Sequence, residues 1–170
     1  IYGVPPDLVR IDLERFDPVR FKGERLTGRV ESGNIVPYYT RSEIDGKKKL
    51  ERSGVQLAWL KDPVDCFFLH IQGSGVIKLP DGRRMRVGYA GANGRPYRSI
   101  GKTLIDSGAV TREAMSLQAI RDYLRAHPES RDRIMWENES YVFFRWVTDG
   151  PLGSLGFVLT EGRSIASDPK

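Results

Sequence analysis

The chain has 170 residues, of which 39% are hydrophobic and 29% charged, and a formal net charge of +5. That length buries a real core as one large or two small units, and the composition is that of a soluble globular protein, not of a disordered or fibrous one. No apolar run approaches the roughly 20 residues a spanning helix needs. The opening Ile1 to Arg10 lacks the basic and apolar regions of a signal peptide, so the targeting segment of an exported protein is expected to have been removed.

The basic balance favours polyanionic partners such as nucleic acid, anionic lipid or the carboxylate-bearing peptides of cell wall, without choosing among them. The plainer reading is a solvated basic surface, and Lys47-Lys48-Lys49 and the hairpin residues Arg83, Arg84 and Arg86 are read that way. Cys66 is the single cysteine, so no internal disulfide forms, and with only His70 and His127 besides, no metal site and no organic cofactor is expected. Cys66 is expected in a strand as a small buried thiol, where His70 lies too far along the same face to activate it.

In chain order, Leu8 to Leu13 alternates as a strand after the turn Pro5-Pro6-Asp7. Arg25 to Val30 and Ile35 to Tyr39 read as a hairpin turning near Gly33-Asn34. Thr40 and Glu43 have capping-box spacing, which predicts a short helix near Ser42. Gly54 to Trp59, Cys66 to Ile71, Val76 to Leu79 and Arg84 to Tyr89 are predicted as strands, with Asp62-Pro63 suiting a single helical turn and Asp81-Gly82 closing a hairpin. Together these predict a small antiparallel barrel or sheet.

Helices follow. Ser99 caps one over Ile100 to Asp106, ended by Gly108; Ser116 opens a second with the stripe Leu117, Ile120 and Leu124; Pro128 starts a third that runs toward Trp136. Tyr141 to Phe144 is a buried strand, Gly150 to Gly153 a loop, and Leu155 to Leu159 a last strand. Trp136, Phe143 and Phe144 are assigned to core. The tail Arg163 to Lys170 reads as the end of an unfinished domain.

Three glycine-centred turns stand out between Val64 and Gly101: Gln72-Gly73-Ser74-Gly75, Asp81-Gly82, and Gly91-Ala92-Asn93-Gly94 leading through Pro96-Tyr97 to Ser99. Gln72 and Asn93 can each both donate and accept, as a sugar-binding groove needs, while Gly73, Gly75 and Gly94 let backbone come close. Tyr89 and Tyr97 suit stacking on sugar faces, although Tyr89 reads equally well as core. Ser74 and Ser99 add hydroxyls, Ser99 equally as a helix cap. Tyr39, Thr40 and Arg41 complete the candidate set; one of Tyr38 and Tyr39 is expected to be buried, and Arg41 to pair with a substrate carboxylate or with Glu43.

The ordered words GVPPDLV (from Gly3), PYYTRSEI (from Pro37), FFLHIQGSG (from Phe67), GYAGANGRPYRSIG (from Gly88), MSLQAIRDYL (from Met115) and ESYVFF (from Glu139) resemble those of the MltA family of membrane-bound lytic murein transglycosylases. The resemblance implies a mainly β fold with helices: a double-psi β-barrel interrupted by a smaller inserted β-barrel domain, with a glycan groove between them. It implies a division into residues 1–42, 43–150 and 151–170 as main barrel, insert and return. It further implies that Tyr38 to Arg41 fall near the groove floor, and that one catalytic aspartate lies beyond this chain. Neither Asp65 nor Asp168 sits in the family's catalytic word, so no catalytic residue is assigned here. Peptidoglycan glycan strands are the implied partner, a Gram-negative envelope the implied location, with a lipid anchor on the whole protein and a monomer as further expectations. The alternative classes are a non-catalytic glycan-binding module and a small-barrel nucleic-acid binder; the second is disfavoured because basic and acidic residues interleave.

Overall fold

In this computed structural model residues 1–147 are described, and they form two three-stranded antiparallel sheets, with a helical layer packed against the second. The expected loop after Gly150, the strand at Leu155 to Leu159, the return segment and the tail lie outside the described residues.

The first sheet is β1 (Val9–Asp12), β2 (Arg25–Glu31) and β3 (Asn34–Pro37), in that spatial order. Its second hairpin turns at Ser32 and Gly33, both at positive φ (50° and 78°), the backbone a tight two-residue turn demands. The second sheet is β4 (Ser74–Lys78), β5 (Arg84–Ala92) and β6 (Val142–Val147), with β5 in the middle and a bulge between Tyr89 and Gly91. The Asp81-Gly82 hairpin forms as expected, and Asp81 accepts from the Arg83 N–H at 3.0 Å. Among the described residues neither sheet closes into a barrel.

One expected strand is a helix. α1 spans Pro63–Gln72 and so absorbs Cys66 to Ile71. Its start obeys the cap signal: Asp62 accepts from the N–H groups of Val64 (2.7 Å) and Asp65 (3.4 Å), and Pro63 occupies the first turn where its missing N–H is harmless. Gly73 ends it at φ 72°. The helix escaped detection because both sides are buried. Val64, Phe67 and Phe68 pack into the helical core with Ile100, Leu104, Ile120 and Leu124, while Leu69 packs against Val87 and Phe144 of the second sheet. A helix covered on two sides has no single apolar stripe to reveal its period.

The other helices are α2 (Ile100–Asp106), capped by Ser99, α3 (Leu117–Ala126), capped by Ser116, and α4 (Pro128–Trp136). Ile120 and Leu124 bury as predicted, whereas Leu117 stays 63% exposed because it sits in the first turn, ahead of the packed face. Salt bridges from Arg125 to Asp62 and Asp65, and from Arg121 to Asp65, tie α3 to the start of α1.

The short helix expected near Ser42 is a wide turn over Ser42–Gly46, opened by the predicted capping box: Thr40 N–H donates to Glu43 (2.9 Å) and Glu43 N–H to Thr40 Oγ1 (3.3 Å). The predicted strand at Gly54 to Trp59 is not a strand. It makes one bridge, Gln56 to Tyr2, and flanks the chain start through Gly3 N–H to the Val55 carbonyl (2.7 Å) and Leu57 N–H to the Ile1 carbonyl (3.1 Å). On its other side the chain start meets β6, where Phe144 N–H donates to Tyr2 at 2.9 Å.

Candidate functional site

Where α1 passes into β4, Gly73 lies beside Tyr89, and Ser74 pairs with Gly88 across the ladder. Gln72 and Ser74 are exposed, and Tyr89 is 55% exposed, which removes the core reading for that tyrosine. The bulge after Tyr89 turns β5 toward the first sheet: Arg10 Nη2 donates to the Ala90 carbonyl at 3.3 Å, and Gly94 lies against Thr27 of β2. Beyond it Tyr97 is 62% exposed, and Ser99 accepts from the Lys102 N–H at 3.4 Å as the cap of α2. Gln72, Ser74, Tyr89 and Tyr97 therefore present polar and aromatic groups to solvent, the chemistry a sugar face needs.

Asn93 is different. It is fully buried: Nδ2 donates to the carbonyls of Tyr39 and Glu139 (2.9 Å each), and Oδ1 accepts from the N–H groups of Tyr141 (2.8 Å) and Arg95 (3.3 Å). Every hydrogen-bonding position of the amide faces protein backbone, so Asn93 fixes the Tyr39 to Arg41 segment relative to the turn and offers no free group to a ligand.

Arg41 is likewise buried. Its Nε donates to the Asn138 carbonyl (3.0 Å) and Nη2 to that of Ser140 (2.5 Å), its charge faces Asp45 at 3.6 Å, and its guanidinium lies over the rings of Phe67 and Tyr141. Within the chain it pairs with Asp45, not with Glu43, the neighbour expected to hold it. The expected alternation at Tyr38-Tyr39 is present: Tyr38 is buried, donating to Asp7 at 2.8 Å, and Tyr39 is part-exposed with Arg29 over its ring at 4.3 Å. Thr40 is part-exposed, its hydroxyl bound to Ser42 and Glu43.

Arg41 also borders a cavity of about 280 Å³, lined by Asp45, Trp59, Cys66, Trp136 and Tyr141 among others. Trp136, expected in the core, is only half-buried and lines this space, against Gly46 where a side chain would meet its ring. Burial pushes the Asp45 carboxyl up, against the opposing pull of Arg41. The signal for this constellation was present in the spacing, since Arg41 and Asp45 are four residues apart on a helical turn.

Cys66 and His70 share one face of α1 on successive turns, not one face of a strand, yet they form no nucleophile pair. His70 Nδ1 accepts from the Val142 N–H at 3.2 Å, burial pushes the imidazole well below its usual range, and burial pushes the Cys66 thiol up, away from the reactive thiolate.

Comparison with known proteins matches residues 1–145 to the family model described as the MltA specific insert domain. The chain belongs to the MltA family. It is similar to the membrane-bound lytic murein transglycosylase A of Vibrio cholerae, 39% identical over 132 residues that make up 76% of this chain and 36% of that protein. Among solved structures, that of the membrane-bound lytic murein transglycosylase of Agrobacterium tumefaciens is 35% identical with a TM-score of 0.83, over 96% of this chain and 45% of that one. That of Escherichia coli MltA with bound chitohexaose is 37% identical with a TM-score of 0.63, over 68% of this chain and 35% of the other. The chain spans about a third of the length of the curated relatives it matches.

Proposed function

We propose that this chain is part of a lytic transglycosylase of the bacterial envelope and supplies one wall of its peptidoglycan-binding groove. The observation that carries the reading is the exposed run of Gln72, Ser74, Tyr89 and Tyr97, on a fold similar to that of an MltA structure with chitohexaose bound. Tyr89 and Tyr97 stack on sugar rings, Gln72 and Ser74 bond to hydroxyls and N-acetyl groups, and Tyr39 and Thr40 border the same groove. Asn93, Arg41, Gly94 and Ser99 act by holding that surface in shape. Gly73 brings backbone close to the strand, whereas Gly75, where a Cβ would lie 2.6 Å from Leu69, makes room for α1 on β4.

The reaction cleaves the β-1,4 bond between N-acetylmuramic acid and N-acetylglucosamine without water. A carboxylic acid kept protonated by a raised pKa donates to the departing glycosidic oxygen and then takes the proton of the muramoyl C6 hydroxyl as that oxygen attacks C1, leaving a 1,6-anhydromuramoyl end. One carboxyl suffices because the nucleophile is the substrate's own hydroxyl, where ordinary glycosidases use two carboxyls. In this reading the acid comes from outside the chain, on a double-psi barrel to which residues 1–42 and 151–170 contribute and into which 43–150 are inserted.

Titrating the chain with chitohexaose while following amide NMR shifts tests the proposal. Saturable shifts at Gln72 to Gly75 and Tyr89 to Tyr97, weakened about three- to tenfold by Tyr97→Ala, are the expected result. No saturable binding, or shifts confined to the Trp59 and Trp136 cavity, would overturn it.

A further inference from the structure

The ladder of the second sheet places four cations on one face. Lys78 pairs with Arg84, Arg86 with Val147, and Gly88 with Arg145, so the alternation of side chains sets Lys78, Arg84, Arg86 and Arg145 on the same side of three adjacent strands. The opposite face carries Ile77, Val87, Phe144 and Trp146 into the core with Leu69, which fixes the cationic face outward. All four are exposed, and among the described residues none is in an ion pair; the neighbouring Arg83 is the one taken up, by Asp81 at 2.6 Å. No acidic residue occupies this face in the described register. Read along the sequence, Arg84 and Arg86 are ordinary hairpin charges; the register adds Lys78 and Arg145 from two other strands and turns scattered residues into a patch that holds four charges of a chain whose net charge is +5.

The patch runs along the same strands as the groove residues. Ser74, opposite Gly88, heads the cationic face itself, while Tyr89, paired with Phe144, stands on the other side of β5; alternate residues along a strand are about 7 Å apart, so the charges extend over roughly 10–15 Å from Ser74. We propose that this face binds the carboxylates of the peptide stems carried by the glycan strand in the groove, so that peptide-bearing strands bind better than bare ones. The inference rests on the glycan-binding reading above. Charge complementarity selects the occupant: each stem bears free carboxylates at a fixed offset from the sugar chain, and arginine pairs with carboxylate in a planar, two-pronged geometry. Val76, 47% exposed between Ser74 and Lys78, gives the aliphatic part of a stem an apolar contact.

The test is co-sedimentation of the chain with insoluble peptidoglycan bearing intact stems and with the same material stripped of peptides by an amidase, at low and high salt. The wild-type chain is expected to bind stem-bearing material roughly tenfold more tightly, with the advantage fading as salt rises. The variant K78Q/R84Q/R86Q/R145Q is expected to lose that advantage and keep its binding to stripped strands, and K78R/R84K/R86K/R145K, which keeps the charge, to retain most of it. Equal wild-type binding to both materials would overturn the inference and leave the groove reading standing, whereas binding to neither would overturn both. Loss of binding to stripped strands in the glutamine variant would show that the face serves the sugar chain or the fold, and would overturn it as well. Tighter, charge-dependent binding to phosphatidylglycerol vesicles than to peptidoglycan would assign the face to a lipid surface instead and overturn it.

Discussion

Asn93 and Tyr141 clasp each other: the Tyr141 N–H donates to Asn93 Oδ1 at 2.8 Å, and the Asn93 N–H donates to the Tyr141 carbonyl at 3.0 Å. The same amide reaches the Tyr39 and Glu139 carbonyls, so one side chain joins the end of β5, the entry to β6 and the segment after β3. Replacing it with alanine strands buried carbonyl and N–H groups together. Asn93→Ala is expected to lower unfolding stability by about 2–4 kcal/mol in urea titration. A loss below about 0.5 kcal/mol would show that the amide is not a structural tie.

Arg41 makes the neighbouring tie, and its geometry depends on a fork. Arg41→Met removes the donors to the Asn138 and Ser140 carbonyls and leaves Asp45 without its counter-charge, at a cost on the order of 3 kcal/mol. Arg41→Lys keeps the charge but cannot serve both carbonyls, so it is expected to recover less than half of that loss. Full recovery by lysine in the same denaturation assay would mean that charge, not geometry, is what the site uses.

His70 makes stability pH-dependent. Burial, and next the charge of Arg41, hold its folded pKa well below the ordinary value of 6.5, so the unfolded chain takes up a proton first as pH falls. Stability present above pH 6.5 is therefore lost as pH drops below it, with a slope approaching about 1.4 kcal/mol per pH unit. Glu43 and Asp62, whose carboxyls are held low by the Thr40 N–H and by Arg125 respectively despite partial burial, give up their contributions at lower pH, as pH falls through the usual carboxylate range toward their lowered folded values. His70→Asn can still accept from the Val142 N–H but does not titrate, so urea midpoints at about pH 7.5 and about pH 5.5 are expected to differ in the wild type and to converge in the variant. Parallel losses in both proteins would contradict this.

Gly94 combines two constraints. Its φ is +74°, and a Cβ there would lie 2.5 Å from Thr27 Cβ, so Gly94→Ala meets both backbone strain and overlap with β2. We expect a loss of roughly 2–4 kcal/mol. Gly108, at φ +72° with nothing within 4 Å, isolates the backbone part, and Gly108→Ala is expected to cost only about 1 kcal/mol. Equal costs at the two positions would remove the packing argument.

The sequence was legible where local chemistry decides the outcome. Caps at Asp62, Ser99 and Ser116, the Thr40-Glu43 box and the Asp81-Gly82 hairpin form as their residue types demand. It misled where tertiary burial removes the period, as at Phe67 to Leu69, packed from two sides in α1. In the candidate site, composition identifies amides and aromatics but not which way they face. Gln72 and Asn93 look equivalent in sequence, yet one is exposed and the other is bonded on every side by backbone. Likewise the cationic face requires the strand register, which no single segment contains.

The most direct test of the central claim is to incubate purified peptidoglycan with this chain and, separately, with the chain carried on to the length of its relatives, and to analyse the released muropeptides by mass. Anhydromuramoyl products from the longer form alone are the predicted result. Reducing-end products, or anhydro products from the 170-residue chain by itself, would contradict it, the first by making the protein a hydrolase and the second by placing the acid within these residues.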